Sequence, residues 1–537
     1  MMINYINTNR HFSRFFLVCT FALVTCFYCT STCFAQAGDG KTAGVENDIV
    51  DSFPDVAILG KPFALHVWLN DHLAEHFDQF SSGSALREKP ASAEALVLLD
   101  IENNAHSNTA SISDYAIRTM LYLLWAVVLL ILVYTARHYY FTFNRMFGKQ
   151  RHPYIDIDTA DWPSVTIFIA AHNEEAVIAH SLQALLEVDY PPEKLQIMPM
   201  NDRSKDRTKE IIDDFVLRFP GRITPFHRVD GKPGKAAALK DATALVNSEI
   251  LIIFDADYVP GRGLIKQLVA PFFDPENGAV MGRVVPLNTG SNLLTRLLDM
   301  ERSGGYQVDQ QARMNLHLVP QYGGTVGGVR RAALDAVGGW RDEALAEDTD
   351  LTYRLLLDGW KTVYQNRSEC YEEVPEGWGV RVRQIMRWSK GHNQAAIQYS
   401  VRLLGSKKVS WGEKLDGFLL LGVYAMSPIL LFGWMLAITL FYFNPDNWLN
   451  GILALFALMS YSALGNFAAF FEIGAAVYLD GSRGRIKLMP LNYFGFLISL
   501  LAISRATFNQ IVFDTLLKRT LVWDKTVRYR KPIVAHP

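Results

Sequence analysis

The chain has 537 residues, of which 50% are hydrophobic and 20% are charged, and its formal net charge is −2. This mixture fits a soluble domain joined to membrane segments better than it fits a compact transporter bundle. The small net charge gives no case for nucleic acid, which we do not expect as a partner.

The N-terminus, residues 1–37, is predicted to be a secretory signal peptide. Arg10 and Arg14 precede a short apolar core at residues 15–30, and an A-Q-A site for cleavage ends the segment. An uncleaved first membrane helix is the alternative. Cleavage would leave Cys370 as the only cysteine of the mature chain, so no disulfide framework is expected.

The first predicted membrane helix covers residues 117–134. Before it, residues 38–114 are polar and mixed, and we expect a small extracytoplasmic segment without an assigned role. The apolar run is close to the ~20 residues that a bilayer requires. Four basic residues follow between positions 137 and 151. Because positive residues stay on the cytoplasmic side, the next domain is expected to be cytoplasmic.

Residues 160–408 are predicted to form an α/β domain. Val165–Ala171, residues 195–200 and residues 250–254 are apolar runs rich in β-forming residues, and residues 175–186 between the first two have a helical pattern. Strands that alternate with helices indicate a parallel sheet. Polar residues follow each run, at the sheet edge where open α/β proteins bind ligands.

The segment from Gly231 to Lys235 reads G-K-P-G-K and leads into a predicted helix. Backbone N–H groups and lysine charge at such a loop suit phosphate. The Walker spacing is absent, so it is not a P-loop. The alternative to phosphate binding is that this loop is only a helix N-terminus. For the polar turn that begins at Asn201 and Asp202, the alternative to ligand binding is that its residues cap the next helix.

Asp255 and Asp257 form a D-x-D motif directly after an apolar strand. In an extended chain, residues two apart point the same way. Both carboxylates could then bind one divalent cation, Mg²⁺ or Mn²⁺, because hard cations prefer oxygen ligands. D-x-D alone is common, and a structural role is the alternative.

Two further motifs follow at Glu347-Asp348 and at Gln384. The first precedes an amphipathic helix, where acidic residues can simply cap the helix N-terminus. The second reads Q-I-M-R-W, and its Gln384, Arg387 and Trp388 share one helix face. Arginine can bind phosphate oxygens, and tryptophan can stack on a sugar ring. The alternative is that Arg387 and Trp388 are an Arg/Trp pair at the membrane interface. A lone histidine is usually structural, so we interpret His392 in that way.

The C-terminal third is predicted to return to the membrane. Residues 418–443 and 452–478 are each long and apolar enough to span it. Residues 491–513 are ambiguous because Arg505 lies in their second half, so an interfacial or re-entrant segment is favoured over a crossing. Residues 514–537 form a basic tail, which the charge rule places inside.

The ordered set D-x-D, E-D and Q-x-x-R-W resembles the processive family 2 glycosyltransferases, which include cellulose, chitin, hyaluronan and poly-N-acetylglucosamine synthases. The resemblance covers residues 162–408. It implies a GT-A (Rossmann-like) α/β domain in the cytoplasm, with flanking transmembrane helices. Two departures are His172, where the family usually has tyrosine, and Ala346, where it has the threonine of T-E-D.

The resemblance also implies residue roles. Asp348 would be the catalytic base, and a divalent cation would bind at Asp255 and Asp257. Nucleotide-sugar binding would fall to Asn173, Glu174, Asp202, Lys235 and Asp255. Acceptor or diphosphate binding would fall to Gln384, Arg387 and Trp388.

The expected function is inverting, metal-dependent transfer from a UDP-sugar, with glucose or N-acetylglucosamine, to a growing β-linked polysaccharide. The chain would sit in the inner membrane as a multi-pass protein, in contact with lipid, and pass its product across; envelope export proteins are a further expected partner class. Three alternatives stay open: a single-addition glycosyltransferase acting on a lipid, a transporter, and a non-catalytic binding module. Product length separates the first, and the intact acidic motifs argue against the last two.

Overall fold

The computed structural model describes residues 57–58, 61–62, 112–153, 161–443, 467–512 and 529. The chain divides into two compact units, residues 1–105 and residues 106–537. In the first unit, the described residues form an antiparallel pair of two-residue strands, Ala57–Ile58 and Lys61–Pro62. The predicted signal peptide lies outside the described residues.

A mixed sheet of eight strands organises the second unit. The strand order across it is β3-β2-β1-β4-β7-β6-β8-β5, and the first four of these strands are parallel. Strand β7 is antiparallel to both of its neighbours. The strands in chain order are β1 (Val165–Ala171), β2 (Leu195–Asp202), β3 (Phe226–Arg228), β4 (Ile250–Asp255), β5 (Val259–Pro260), β6 (Asn277–Pro286), β7 (Gly327–Arg330) and β8 (Lys361–Glu372).

The register of the parallel strands brings their carboxyl ends to one edge. Ala171 of β1 is paired with Asn201 of β2, and Ala170 is paired with Asp255 of β4. The residues that follow these positions therefore meet at the same edge, as the sequence predicted. The α/β domain is confirmed, and β1 to β4 are parallel as predicted, whereas β5 and β7 are antiparallel to their neighbours and make the sheet mixed.

Buried side chains cover both faces of the sheet. Ile167 and Ile169 of β1 pack into one core with Leu182, whereas Phe168 packs into a second core with Leu239. Successive residues of a strand point to opposite faces, so a strand buried on both sides must be apolar throughout. This explains why β1 reads V-T-I-F-I-A-A without alternation.

Helices lie on both faces and at the ends of the sheet. A π-helical segment, Gly304–Gln310, joins two of them. The helices in chain order are α1 (Ile112–Phe147), α2 (Ile178–Leu186), α3 (Thr208–Arg218), α4 (Lys235–Thr243), α5 (Leu264–Val269), α6 (Leu293–Ser303), α7 (Gln311–Asn315), α8 (Arg331–Ala336), α9 (Glu347–Asp358), α10 (Trp378–Gly405), α11 (Trp411–Leu421), α12 (Met426–Phe443), α13 (Phe467–Leu479) and α14 (Met489–Asn509).

Two helical stretches of the described residues are long and apolar enough to cross a membrane. They are Tyr115–Phe147 in α1 and Arg483–Val512, which contains α14. The pair of α11 and α12, bent by 70° at a short break, would make a third. The ambiguous segment 491–513 lies almost wholly in the second stretch, and of the predicted span 452–478 the structure describes the part in α13.

Helix α1 is much longer than the predicted span 117–134. Two of its basic residues contact the domain: Arg137 pairs with Asp309 and Asp416, and Arg145 donates to the Gln307 side chain. The segment 418–443 also differs from a single helix. Its first residues belong to α11, and the chain breaks at residues 422–425 before α12 begins. The break occurs within an apolar run, so hydropathy alone gives no sign of it.

Candidate active site

The loop after β1 is bonded to the loop after β2. The Asn173 N–H donates to Ser204 Oγ at 2.8 Å, and the Asn173 Oδ1 accepts from the Lys205 N–H at 2.7 Å. The Glu174 N–H donates to Thr208 Oγ1 at 2.7 Å. Asn173 has a φ of 56°, a left-handed conformation that asparagine tolerates well. Asn173 and Glu174 therefore fix the carboxyl edge of β1, and their predicted contacts with nucleotide stay predictions.

Asp202, at the end of β2, is held by positive charge. It accepts from Arg203 Nε at 2.9 Å, from Arg228 Nη1 at 3.1 Å and from the Gly234 N–H at 3.1 Å. Burial by itself raises the pKa of this carboxyl, but the hydrogen bonds from Arg203 and Gly234 and the two arginine charges together lower it. Asp202 is therefore an anion that ties β2 to the loop before α4.

Lys235 begins helix α4 and points to the end of β4. Its Nζ lies 2.7 Å from Asp255 Oδ1, 2.8 Å from the Gly324 carbonyl and 3.6 Å from Glu347 Oε1. Burial favours neutral lysine, yet the carboxylates of Asp255, Glu347 and Asp348 outweigh it and raise the pKa of Lys235. The lysine thus joins the D-x-D and E-D motifs through one half-buried positive charge.

The two aspartates of D-x-D have different surroundings. Strand β4 ends at Asp255, and Ala256 and Asp257 form a turn, so the extended geometry expected from the sequence does not continue. The Asp255 side chain is 34% exposed, whereas Asp257 is 2% exposed and accepts from the Glu373 N–H at 3.3 Å. Asp255 therefore fits a hard cation that also takes diphosphate oxygens. In the part of the chain described, no three His, Cys, Asp or Glu side chains are grouped as metal ligands.

Glu347 and Asp348 lie in the first turn of α9. Burial raises the pKa of Asp348, an effect that the Thr349 N–H, which donates to Asp348 Oδ1 at 2.7 Å, and the charge of Lys235 offset in part. Burial also raises the pKa of Glu347. A carboxylate whose pKa is moved toward neutrality is a better proton acceptor for a hydroxyl.

Gly324 lets the chain pass close to these acids. Its φ is +71°, and a Cβ at this position would lie 3.1 Å from Asp348 Cβ and 3.4 Å from Glu347 Oε1. Only glycine adopts this conformation without cost. Its carbonyl is also the acceptor for Lys235, so one residue sets the position of three charged groups.

Helix α10 carries Gln384, Arg387 and Trp388. Arg381 Nη1 donates to Gln384 Oε1 at 2.9 Å, and the guanidinium carbons of Arg381 and Arg302 lie 5.3 Å and 5.2 Å from the centre of the Trp388 ring. Arg387 is half-buried on the same helix. The indole is thus engaged by two cations, which also suits a surface against which a sugar packs.

Glu372, at the end of β8, connects Trp388 to D-x-D. Its carboxylate lies 2.8 Å from Arg302 Nε and accepts from the Tyr258 hydroxyl at 2.8 Å. Tyr258 directly follows Asp257. The carboxyl ends of β4 and β8 therefore bring together motifs that lie more than one hundred residues apart.

His392 was interpreted as structural, and the structure places it between two motifs. Its Nδ1 lies 3.1 Å from the Trp388 carbonyl, and its Nε2 lies 3.4 Å from Thr349 Oγ1, next to Asp348. Sequence reasoning also passed over Thr349. A signal for His392 was present, because Gln384, Trp388 and His392 follow one another at four-residue intervals on one helix face. For Thr349 the sequence held no comparable signal.

The motifs of this site lie in a segment that matches a known family. Residues 163–391 match the family described as Glycosyltransferase like family 2. They form a glycosyltransferase family 2 domain. Its architecture is the Rossmann-like GT-A fold, and the predicted enzyme class, a family 2 glycosyltransferase, is confirmed.

Relatives of this glycosyltransferase have several recorded activities. A probable glycosyltransferase of Bacillus subtilis, YdaM, is 27% identical over 420 residues, which cover 76% of this chain and 96% of that protein. A β-monoglucosyldiacylglycerol synthase of Synechocystis is 32% identical and covers 51% of this chain and 57% of its own. A probable glucomannan 4-β-mannosyltransferase of Arabidopsis thaliana is 28% identical and covers 48% of each chain. The chain thus spans about half the length of the last two.

Proposed function

We propose that this protein transfers sugar, with inversion, from a UDP-sugar to a hydroxyl acceptor, and that it extends a β-linked polysaccharide. The donor sugar would be glucose or N-acetylglucosamine. The observation that carries the proposal is the half-buried cluster of Lys235, Asp255, Glu347 and Asp348, in which a carboxylate of raised pKa lies next to the residues that we propose for the cation and the diphosphate.

Asp348 is the proposed base. It takes the proton of the acceptor hydroxyl while that oxygen forms a bond to the anomeric carbon and the bond from that carbon to the diphosphate oxygen breaks. Lys235 holds positive charge beside Asp255, where the diphosphate departs. A divalent cation bound at Asp255 would further offset the charge of the leaving UDP. Trp388 and Gln384 would hold the acceptor sugar from helix α10.

The proposal of a polymer acceptor that is exported is supported by the position of the site. The E-D motif and α10 are close to the break between α11 and α12, because His392 packs on Tyr424 in that break, with ring centres 4.7 Å apart. A polymer that grows at Asp348 would therefore start beside the candidate membrane helices. We place the domain on the cytoplasmic side, where UDP-sugars are made and where basic residues flank the helices.

A second candidate function is a single transfer to a lipid. It is favoured by the similarity to β-monoglucosyldiacylglycerol synthases from two organisms, each 32% identical to this chain. The same base and donor site would serve both reactions. They differ in the acceptor, which is a sugar chain in one reaction and diacylglycerol in the other.

The test uses the purified protein in nanodiscs with UDP-glucose or UDP-N-acetylglucosamine, with and without diacylglycerol in the bilayer. Released UDP and the size of the product are measured together. A polymer without added diacylglycerol supports the primary proposal, whereas a single glycolipid supports the second. Release of neither product with either donor would contradict both.

Asp348→Asn is the matched variant for this assay. It removes the base but keeps the side-chain volume, so sugar transfer should fall at least about a hundredfold, within the ~10²–10⁴ that such catalysis supplies. UDP affinity, measured by calorimetry, should stay close to that of the wild type. Transfer above a tenth of the wild-type rate would show that Asp348 is not the base.

A further inference from the structure

His392 is half-buried on α10, the helix of the acceptor motif, and faces the start of α9, which carries the proposed base. The imidazole lies on α10, one turn after Trp388, and its ring packs on Tyr424. Burial lowers the pKa of His392 to about 4, so the ring is neutral at neutral pH. A neutral imidazole has one N–H donor and one nitrogen that accepts.

The neighbours of His392 determine which nitrogen carries the proton. Nδ1 faces the Trp388 carbonyl at 3.1 Å, and a carbonyl can only accept, so Nδ1 is the donor. Nε2 is then the acceptor, and it faces Thr349 Oγ1 at 3.4 Å and Gln321 Nε2 at 3.3 Å.

The Thr349 hydroxyl is oriented by the same group of residues. It accepts from Gln321 Nε2 at 2.9 Å, which leaves its own proton free to be donated. Asp348 Oδ1 and His392 Nε2 both lie 3.4 Å from Thr349 Oγ1. Thr349 is fully buried, so water does not compete for this proton.

We propose that His392 is a positioning residue for the base: with Gln321 it fixes the Thr349 hydroxyl beside the Asp348 carboxylate, and through the same contact with Thr349 it holds α10 against the start of α9. The inference rests on the proposed function, since it presumes that Asp348 is the base. His392 itself does not contact the reacting atoms. It acts on the rate of the chemical step and leaves the donor site, at Lys235 and Asp255, unchanged.

The test compares His392→Phe with His392→Gln in nanodiscs. Phenylalanine keeps a ring against Tyr424 and removes both nitrogens, whereas glutamine places an acceptor near the position of Nε2. We expect kcat to fall at least about tenfold in His392→Phe, a part of the ~10²–10⁴ of base catalysis, and to be regained within about threefold in His392→Gln. The KM for the UDP-sugar and the UDP affinity should stay within about twofold in both, since the donor site is intact.

A double-mutant cycle separates positioning from packing. Thr349→Val removes the hydroxyl at nearly constant volume and should reduce kcat to a similar degree. If the two residues act through one hydrogen bond, the double variant with His392→Phe loses no more than the larger single loss, within about twofold. Ser400→Ala is the control on the same helix, where the hydroxyl donates to the Ala396 carbonyl, and it should keep its activity.

Two outcomes overturn the inference. One is wild-type kcat in His392→Phe, and the other is additive losses in the cycle with equal losses in His392→Phe and His392→Gln. The proposed function has a separate outcome. If Asp348→Asn stays active, the base assignment fails, whereas an inactive Asp348→Asn together with a fully active His392→Phe overturns only the role of His392.

Discussion

At the scale of single residues, the site consists of one lysine and three carboxylates whose opposite charges stabilise one another. Lys235 is the cation shared by Asp255, Glu347 and Asp348, and all four side chains are partly shielded from water. An unpaired charge in such a place is costly, so the cluster is stable only as a set. The same burial that makes Asp348 a stronger base makes it depend on its neighbours.

The pH dependence of the reaction should report this balance. Asp348 accepts a proton only when it is ionised, so activity falls as the pH drops through its pKa. Because burial raises that pKa, the acid limb of kcat/KM should lie above ~3.9, the value of an exposed aspartate. The apparent value belongs to Glu347 and Asp348 together, since the two interact.

The variant Lys235→Met tests the direction in which Lys235 shifts the pKa of Asp348. The charge of Lys235 lowers the pKa of Asp348, so its removal should move the acid limb to higher pH, in addition to weakening donor binding. The measurement is a pH–rate profile of kcat/KM for both proteins. A limb that moves to lower pH would contradict the electrostatic account.

The two aspartates of D-x-D should respond differently to substitution. Asp255→Ala should weaken cation-dependent UDP binding strongly, because this carboxylate is open to the cleft. Asp257→Ala should act mainly on stability, because Asp257 is buried and accepts from the Glu373 N–H. Calorimetry of UDP with and without Mg²⁺ or Mn²⁺, together with the melting temperature, separates the two effects. Unchanged cation dependence in both variants would make the metal prediction wrong.

At the scale of elements, α10 must lie against the start of α9. Gly391 makes this possible, because a Cβ there would lie 2.6 Å from Ala346 Cβ and 3.1 Å from the Ala346 nitrogen. Neither atom can rotate away. The Ala346 of A-E-D and the glycine of α10 therefore form one contact, which brings His392 to Thr349.

Gly391→Ala should push the two helices apart. Overpacking of this kind costs about 1–3 kcal/mol, and the displaced α10 should also reduce kcat about tenfold or more through the base. Melting temperature and kcat are the measurements. Gly405→Ala, at the end of the same helix, is the control, since nothing lies within 4 Å of its added Cβ. Equal effects in the two variants would show that the contact is unimportant.

The strands and motifs could be predicted from the sequence because their causes are local. A parallel strand buried on both faces reads as a continuous apolar run, and β1, β2 and β4 begin where those runs begin. The turn at Asp257 could not be predicted, since D-A-D fits a strand and a turn equally well. Thr349, which contacts His392, lies 43 positions earlier in the chain, and only the packing of α9 against α10 in the folded protein reveals this contact.

At the scale of the whole molecule, an ion pair and several hydrogen bonds join α1 and the end of α13 to the sheet domain. Asp480, just after α13, accepts from Arg283 of β6 at 2.7 Å, from Ser303 Oγ at 2.6 Å and from Gln307 Nε2 at 2.5 Å. Arg145 of α1 donates to the Gln307 carbonyl. Two helices that are distant in sequence thus bind the same part of the domain.

Asp480→Asn should destabilise this junction. It leaves the buried guanidinium of Arg283 without one of its two carboxylate partners, and breaking a buried pair costs roughly 3–5 kcal/mol. Thermal unfolding in detergent should show a clear fall in Tm. Asp161→Asn is the control, because its pair with Lys194 is exposed and is expected to contribute at most about 1 kcal/mol. A fall no larger than that of the control would mean that Asp480 does not anchor the helices.

The contacts of α11 have a practical consequence for anyone who wishes to express the catalytic part as a shorter soluble protein. A version that ended at Gly405 would remove Asp416, which binds Arg313 Nε at 3.0 Å, and the Gly417 carbonyl, which accepts from the Tyr353 hydroxyl at 2.7 Å. It would also uncover the apolar surface around Tyr353. Such a protein should aggregate, and a workable boundary lies beyond Leu421 and retains the C-terminal end of α1, which carries Arg137 and Arg145.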